Sequence, residues 1–327
     1  MINSRITGTG SYLPEKILSN YDLEKMVDTN HDWIVERTGI SERRIASPQE
    51  NTTDLAARAS LQALEAAGLD AKEIDFIYFA TTSSDRIMPN SASVLQAKIG
   101  AGKCGALDIY AACSGFLYGM AISDLMIKAG MYKNILVVGA EIISRFVDYK
   151  DRGTCILFGD GAGAAVISAS EGGDSKVYGH KLRSDGELGD LLTLPMGGSR
   201  YPATQENLDG VGPFITMEGR EIFKNATRTM AKCCADVLKQ TQVEPDQIDW
   251  LIPHQANLRI IEVVAKKFGF PMKKVIVELE KMGNNSSATI PICLDKAVRD
   301  GRVERGQNVL FTAFGGGITS GSLLMRY

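Results

Sequence analysis

Apolar and polar positions along the chain follow a pattern that is laid down twice. The run Leu64-Glu-Ala-Ala-Gly-Leu-Asp-Ala-Lys-Glu-Ile-Asp-Phe-Ile-Tyr-Phe-Ala resembles Leu238-Lys-Gln-Thr-Gln-Val-Glu-Pro-Asp-Gln-Ile-Asp-Trp-Leu-Ile-Pro-His. Each reads as a helix end, an acidic turn, the pair Ile-Asp and a buried strand. The copies stay in step. A helix ending Ala97-Lys-Ile-Gly matches one ending Lys266-Lys-Phe-Gly, and strands are predicted next over 107–112 and 275–280. Asn134-Ile-Leu-Val-Val-Gly-Ala then matches Asn308-Val-Leu-Phe-Thr-Ala-Phe, and Gly-rich turns lead into closing strands over 161–168 and 317–326. Continuous Val/Ile/Leu strands alternating with amphipathic helices predict an α/β fold with mostly parallel sheets covered on both faces, in two halves, 1–171 and 172–327. The interval from 184 to 213 has weak periodicity and is rich in Gly, Pro, Asp and Thr, which predicts a long connection of the kind that walls a site.

Composition narrows the partners. With 36 Lys and Arg against 39 Asp and Glu, the formal charge of −3 gives no reason to expect nucleic acid or an anionic membrane. No run approaches the ~18–20 apolar residues that cross a bilayer, and the first residues show no charged-then-apolar leader. The six cysteines (Cys104, Cys113, Cys155, Cys233, Cys234 and Cys293) show neither a CxxC pair nor zinc spacing, and a chain this long needs no disulfide staples, so a reducing, cytoplasmic setting is expected. Only His31, His180 and His254 carry imidazoles, and no metal site is expected from so few. His31, in a polar helical stretch beside Asp32, and His180, between Gly179 and Lys181, read as surface or structural residues.

Cys113 stands where the apolar run 105–112 turns into a helical run opening Ser114-Gly-Phe. A helix N-terminus favours a thiolate, so a lowered pKa and a nucleophilic role are expected of it. The competing reading of a lone cysteine is a buried small hydrophobe. The duplication supplies context. The turn of the second copy that corresponds to Cys113 is 281–286, which places Asn284 opposite Cys113, and His254 ends the strand 249–253 just before a helix start. Cysteine, histidine and asparagine at three corresponding strand ends would converge on one cleft. Taken alone, His254 reads equally well as a structural residue capping the next helix.

Ala111-Ala-Cys-Ser-Gly-Phe, Ile252-Pro-His-Gln-Ala-Asn, Gly283-Asn-Asn-Ser and Ala313-Phe-Gly-Gly-Gly, in that order, resemble the condensing enzymes of the thiolase superfamily, most nearly the β-ketoacyl-acyl-carrier-protein synthase III family. Trp33-Ile-Val-Glu-Arg-Thr-Gly-Ile and the run from Asp151 through Gly159-Asp-Gly-Ala-Gly-Ala extend the likeness over the whole chain. No second histidine stands at the Asn284 position, as it would in the elongating synthases, and the Gly-rich region around Phe314 lacks the second cysteine of thiolases.

The resemblance implies a five-layered αβαβα fold with two mixed sheets around a central helix layer, usually a homodimer, and no cofactor. It implies a ping-pong, decarboxylative Claisen condensation that joins an acyl-CoA primer, carried on Cys113, to malonyl-acyl-carrier protein. The N–H groups of Cys113 and Gly316 would form the oxyanion hole, and His254 and Asn284 would hydrogen-bond the malonyl thioester oxygen. Trp33, Arg37 and Arg152 would hold the CoA nucleotide, and Gly219, Phe223, Ala256, Asn257 and Ile260 its pantetheine arm. Trp33 also reads as a core residue and Asn257 as a helix N-cap. Lys224, Arg259, Lys266 and Lys267 would meet an acidic carrier protein, although Glu262 is placed to pair with Arg259 or Lys266. Met88 and Ser320 replace bulkier family residues of the acyl pocket and would admit primers longer than acetyl. Other readings keep the same residues: a specialised condensing enzyme or acyltransferase of secondary metabolism, a thiol hydrolase, or a non-catalytic module that binds carrier protein.

Overall fold

The computed structural model describes residues 2–172 and 175–327. Its first half runs β1 (Ile2–Tyr12), β2 (Lys16–Ser19), α1 (Asn20–Leu23), α2 (His31–Thr38), β3 (Glu42–Ile45), α3 (Thr52–Ala67), β4 (Phe76–Ala80), α4 (Ser91–Ile99), β5 (Gly105–Ile109), α5 (Gly115–Lys128), β6 (Asn134–Glu141) and β7 (Gly161–Glu171). After it come β8 (Lys176–Ser184), β9 (Leu192–Thr193), α6 (Gln205–Gly210), β10 (Thr216–Met217), α7 (Gly219–Thr241), β11 (Trp250–Pro253), α8 (Leu258–Phe268), α9 (Thr289–Arg299), β12 (Asn308–Gly315) and β13 (Thr319–Arg326).

Two mixed sheets result, ordered β1-β7-β6-β4-β5 and β11-β12-β13-β8. Strand alternation explains how five layers form, because successive side chains leave opposite faces of a strand. Ile77, Phe79, Leu136 and Val138 face out against Leu55, Ala59 and Ala63 of α3 and Leu95 of α4. Their neighbours Tyr78, Ile135 and Val137 face in, against Phe116, Leu117 and Met120 of α5 and Ile290 and Leu294 of α9. Val309 and Phe311 close that central layer from the second sheet, while Leu310 and Leu251 face α7 and α8 through Val237, Ile261 and Ala265. The order is helices, sheet, helices, sheet, helices.

The duplication holds to the level of single hydrogen bonds. Asp75 accepts the Asn134 N–H at 2.9 Å, and the Asn134 amide donates to the Glu73 carbonyl at 3.2 Å. Asp249 and Asn308 repeat this, at 2.8 Å to the Asn308 N–H and 2.8 Å from its amide to the Gln247 carbonyl. The helices expected to end at Gly100 and Gly269 do so, each glycine taking the left-handed conformation that lets its N–H reach back to the last turn.

One predicted strand is absent. The segment 275–280 makes only an isolated bridge, Val275 to Leu251, and then turns over Leu279–Lys281. The buried Gln255 side chain takes up the backbone groups a ladder would use: its amide donates to the carbonyls of Pro253 and Ile276, and its oxygen accepts the Glu278 N–H at 3.0 Å. The connection 184–213 contains α6 and the short strand β9, which pairs with β10.

Candidate active site

Three chain reversals at the ends of β5, β11 and the 281–286 turn meet between the halves. Cys113 lies in a tight turn, Ala112–Ser114, between β5 and α5, with Ala112 at φ +44°. The first residue of α5, Gly115, leaves no space for a side chain: a Cβ there would stand 2.7 Å from that of Ala80. The Gly-rich turn of the second half presses on the nucleophile from the other side. The Thr319 hydroxyl donates to the Ala111 carbonyl at 2.7 Å, and the backbone of Gly315 runs directly against Cys113.

His254 follows β11, donates its N–H to the Thr312 carbonyl at 2.8 Å, and is 3% exposed. Its Nδ1 lies 2.7 Å from the Thr289 hydroxyl, so the other ring nitrogen is the one left for the site. Asn284 is clamped by backbone, its N–H donating to the Leu157 carbonyl at 2.8 Å and its carbonyl accepting from Gly159 at 3.1 Å. The Asn284 side-chain oxygen accepts the Ser286 N–H at 2.8 Å, which commits the amide NH2 as the group free to donate.

Cys113, His254 and Asn284 all line one narrow cavity of about 100 Å³, together with Gly219, Phe223, Ala256, Asn257, Ile260 and Phe314. A second, mainly apolar cavity of about 280 Å³ opens on the other side of Cys113, lined by Thr82, Ile143, Leu192, Leu194, Ile215, Gly316 and Ser286 among others. The sequence analysis named Gly316 but did not find Thr82, Ile143, Leu192, Leu194 or Ile215, which come from four separate segments. Met88, 84% exposed, and Ser320, buried beside the Cys233 thiol, line neither cavity.

The electrostatics correct one expectation. Burial pushes the Cys113 thiol up to about 12, the Ser286 hydroxyl opposing this and the charge of Glu141 adding to it, so the resting residue is a thiol, not a thiolate. Burial likewise pushes His254 down to about 3, which leaves the imidazole neutral at physiological pH. Glu141, the acid that ends β6, is fully buried and raised by desolvation. It accepts from Thr81, from the backbone and hydroxyl of Thr82 and Ser83, and from Ser287. That carboxylate straps the loop after β4 to the turn that carries Asn284. Its signal in the sequence was a lone acid at the end of an unbroken apolar strand.

The outer residues divide into two groups. Trp33 is flanked by Arg152, 5.2 Å from the ring centroid, and by Arg37 at 5.7 Å, and Arg152 also donates to the Asp28 carbonyl. Asn257 is the N-cap of α8: its side chain accepts the Arg259 N–H at 2.9 Å while its amide donates to the Arg37 carbonyl, tying the first group to the narrow cavity. Arg259 lies 5.7 Å over Phe223 and Lys224 pairs with Glu221 at 3.5 Å. Lys266 and Lys267 are exposed, and among the described residues no ion pair joins Glu262 to Arg259 or Lys266.

Known proteins resemble this chain from end to end in sequence and fold. The family profile described as 3-oxoacyl-[acyl-carrier-protein] synthase III matches residues 107–186, and its C-terminal counterpart matches 238–327. A β-ketoacyl-[acyl-carrier-protein] synthase III of Xanthomonas campestris pv. campestris is 49% identical over 100% of this chain and 99% of its own. One from Caldanaerobacter subterraneus subsp. tengcongensis is 48% identical over 100% and 98%. The crystal structure of 3-oxoacyl-[acyl-carrier-protein] synthase III from Aquifex aeolicus VF5 superposes with a TM-score of 0.92 at 45% identity, covering 99% of this chain and all of that one. Sequence and fold agree: the chain belongs to the β-ketoacyl-acyl-carrier-protein synthase III family.

Proposed function

We propose that this chain catalyses the initiating decarboxylative condensation of an acyl-CoA primer with malonyl-acyl-carrier protein in type II fatty acid synthesis, giving 3-oxoacyl-acyl-carrier protein. The observation that carries this is the placing of Cys113 at the junction of two cavities, one shared with His254 and Asn284 and one mainly apolar. The Cys113 sulfur attacks the primer thioester carbonyl, the C–S bond to CoA breaks, and CoA leaves and takes up a proton. The N–H groups of Cys113 and Gly316 hold the oxyanion. The acyl chain then lies in the apolar cavity.

Malonyl-carrier protein enters by the narrow cavity. Its thioester oxygen sits between the His254 imidazole and the Asn284 amide, and loss of CO₂ leaves an enolate whose carbon attacks the acyl-enzyme carbonyl and expels the Cys113 thiolate, which takes up a proton from solvent to restore the thiol. Neutral donors suit this step, because decarboxylation generates the carbanion without removing a C–H proton. No cofactor takes part in this scheme.

Trp33, Arg37 and Arg152 bind the nucleotide of CoA. Arg152 must swing off the indole face to admit a flat base between them. Gly219, Phe223, Ala256, Asn257 and Ile260 line the path of the pantetheine arm, and Lys224, Arg259, Lys266 and Lys267 receive the acidic carrier protein. We take residues 1–171 and 172–327 as the two thiolase-like halves, and a homodimer through the edge strand β5, whose outer side is unpaired among the described residues and flanked by exposed Leu107, Tyr110, Ile87 and Met88. Met88 then reaches the partner's acyl pocket. Among the described residues no helix is long and apolar enough to cross a membrane, and we place the enzyme in the cytoplasm.

Intact mass spectrometry of the protein and of Cys113→Ser, mixed with a panel of acyl-CoAs and then with malonyl-carrier protein, tests the reading. The expected result is acylation confined to the unmutated protein, discharged with release of CO₂ and formation of a 3-oxoacyl-carrier product. Absence of acylation with every primer, or an acyl-enzyme that malonyl-carrier protein does not discharge, overturns it.

A further inference from the structure

Ser320, which lines neither cavity beside Cys113, lines another of about 360 Å³ bordered by β8, α7 and β13. Its walls divide by chemistry. Arg183, Arg228 and Lys232 bring three cations against the single carboxylate of Asp185, and Leu188, Phe314 and Ile318 form an apolar side. Two of the cations are held in place. The buried Asn225 amide donates to the Glu221 carbonyl at 2.9 Å, which turns its oxygen to accept from Arg228 at 2.8 Å, and Arg183 is anchored on Asp236 at 2.5 Å. Lys232 stands four residues after Arg228 on the same helix, so their like charges repel. Among the described residues no ion pair joins Asp185 to either of them. Ser320 is 2% exposed; its oxygen accepts from the Cys233 thiol at 3.8 Å, and no acceptor among the described residues takes its own proton.

We propose that this cavity is a binding site for an amphiphilic anion, a carboxylate on a short apolar chain, with Arg228, Lys232 and the Ser320 hydroxyl donating to its head and Leu188, Phe314 and Ile318 packing on its tail. Charge selects the head. A guanidinium fork matches the two oxygens of a carboxylate, and an anion between Arg228 and Lys232 turns their repulsion into two attractions. The apolar side selects the tail, since Leu188, Phe314 and Ile318 belong to the small cluster around Met230 and Val264, and a bare inorganic anion would leave them facing water. Phe314 lines this cavity and the narrow one, so the two sites share one ring. Binding here needs no turnover at Cys113.

Isothermal titration calorimetry of the full chain with octanoate, 1-octanol and inorganic phosphate separates head from tail. Octanoate should bind with a Kd of about 1 mM or tighter, and the alcohol and the phosphate at least about tenfold more weakly, each lacking one half of the recognition. Arg228→Gln with Lys232→Gln changes only exposed side chains. That pair should weaken octanoate at least about tenfold while leaving acylation of Cys113 by an acyl-CoA within about threefold, because neither residue lines the cavities beside Cys113. Ser320→Trp fills the cavity and should abolish the binding. Octanoate held instead in the apolar cavity beside Cys113 would keep its full affinity in both variants, and that result overturns the proposal. So does 1-octanol binding as tightly as octanoate, or the absence of octanoate binding at millimolar concentration. The glutamine pair decides the matter even if Ser320→Trp does not fold.

Discussion

Gly315→Ala asks how closely the second half must seat against the nucleophile of the first. A methyl group built on Gly315 would stand 2.6 Å from the Cys113 amide nitrogen and 3.1 Å from the Cys113 Cβ. Ordinary contact begins at about 3.4 Å, so the two backbones must part by roughly 0.8 Å, given the steepness of short-range repulsion. Neither atom sits at the free end of a flexible side chain, so no rotamer change relieves the clash. The Thr319-to-Ala111 hydrogen bond, 2.7 Å long, resists the separation. Overpacking of this kind costs about 1–3 kcal/mol, and displacing a reacting group by nearly 1 Å costs about 100-fold in rate. We expect the variant to melt below the unmutated protein and to acylate about 100-fold more slowly, measured by rapid-quench intact mass spectrometry with an acyl-CoA. Gly316→Ala supplies the steric control, since its methyl would meet the Leu192 carbonyl at 3.3 Å and the Ala112 Cβ at 3.7 Å, and its melting temperature should stay near that of the unmutated protein. A Gly315→Ala protein that acylates at the unmutated rate refutes the claim that this contact sets the position of Cys113.

Three further outcomes follow from the same coordinates. Burial holds His254 near 3, against about 6.5 when unfolded, so between those values the unfolded chain binds the extra proton and stability falls as the pH drops, by up to about 1.4 kcal/mol per pH unit. His254→Gln should therefore narrow the difference between urea midpoints at pH 7 and pH 5, and an unchanged difference counts against a buried neutral imidazole. Ile143, 4% exposed and lining the apolar cavity, sets its volume. Ile143→Phe should lower the octanoyl-to-acetyl ratio of acylation kcat/KM by at least about tenfold, and an unchanged ratio would put the primer elsewhere. Lys266→Glu with Lys267→Glu should raise KM for malonyl-carrier protein about tenfold at low salt, an effect shrinking as ionic strength rises, with acyl-CoA acylation unaltered. A salt-independent effect would point to misfolding instead of docking.

Most of the architecture was legible because it rests on continuous apolar strands alternating with amphipathic helices and on duplicated local chemistry. The Ile-Asp pairs before β4 and β11 marked the same hydrogen-bonded corner twice. The strand predicted over 275–280 failed because its backbone partners come from a side chain, Gln255, whose reach no periodicity reports. The same limit hid the apolar cavity. Thr82, Ile143, Leu192 and Ile215 are ordinary apolar or small polar residues in their own segments, and only tertiary packing assembles them beside Cys113. Thr289 carried no signal either, being one hydroxyl in the run Ser286-Ser-Ala-Thr.

The acidity of Cys113 shows why position along the chain is a weak guide to a nucleophile. The start of α5 was expected to favour the thiolate, and such a helix terminus contributes at most about 2 kcal/mol. Burial takes the thiol from an ordinary 9.0 to about 12, which amounts to about 4 kcal/mol disfavouring the anion. Desolvation outweighs the helix terminus by about a factor of two, and the nearby Glu141 carboxylate pushes the same way. A resting thiolate is thus not what this site stores. What the fold supplies instead is fixed geometry: a sulfur held between two cavities, a glycine backbone against its amide, and two neutral donors aimed at one point. The thiol must lose its proton as the thioester carbonyl arrives, when the developing negative charge passes to an oxygen held by backbone N–H groups. Acylation should accordingly show a solvent deuterium effect, whereas a stored thiolate would acylate without one, and measuring that rate in H₂O and D₂O separates the two.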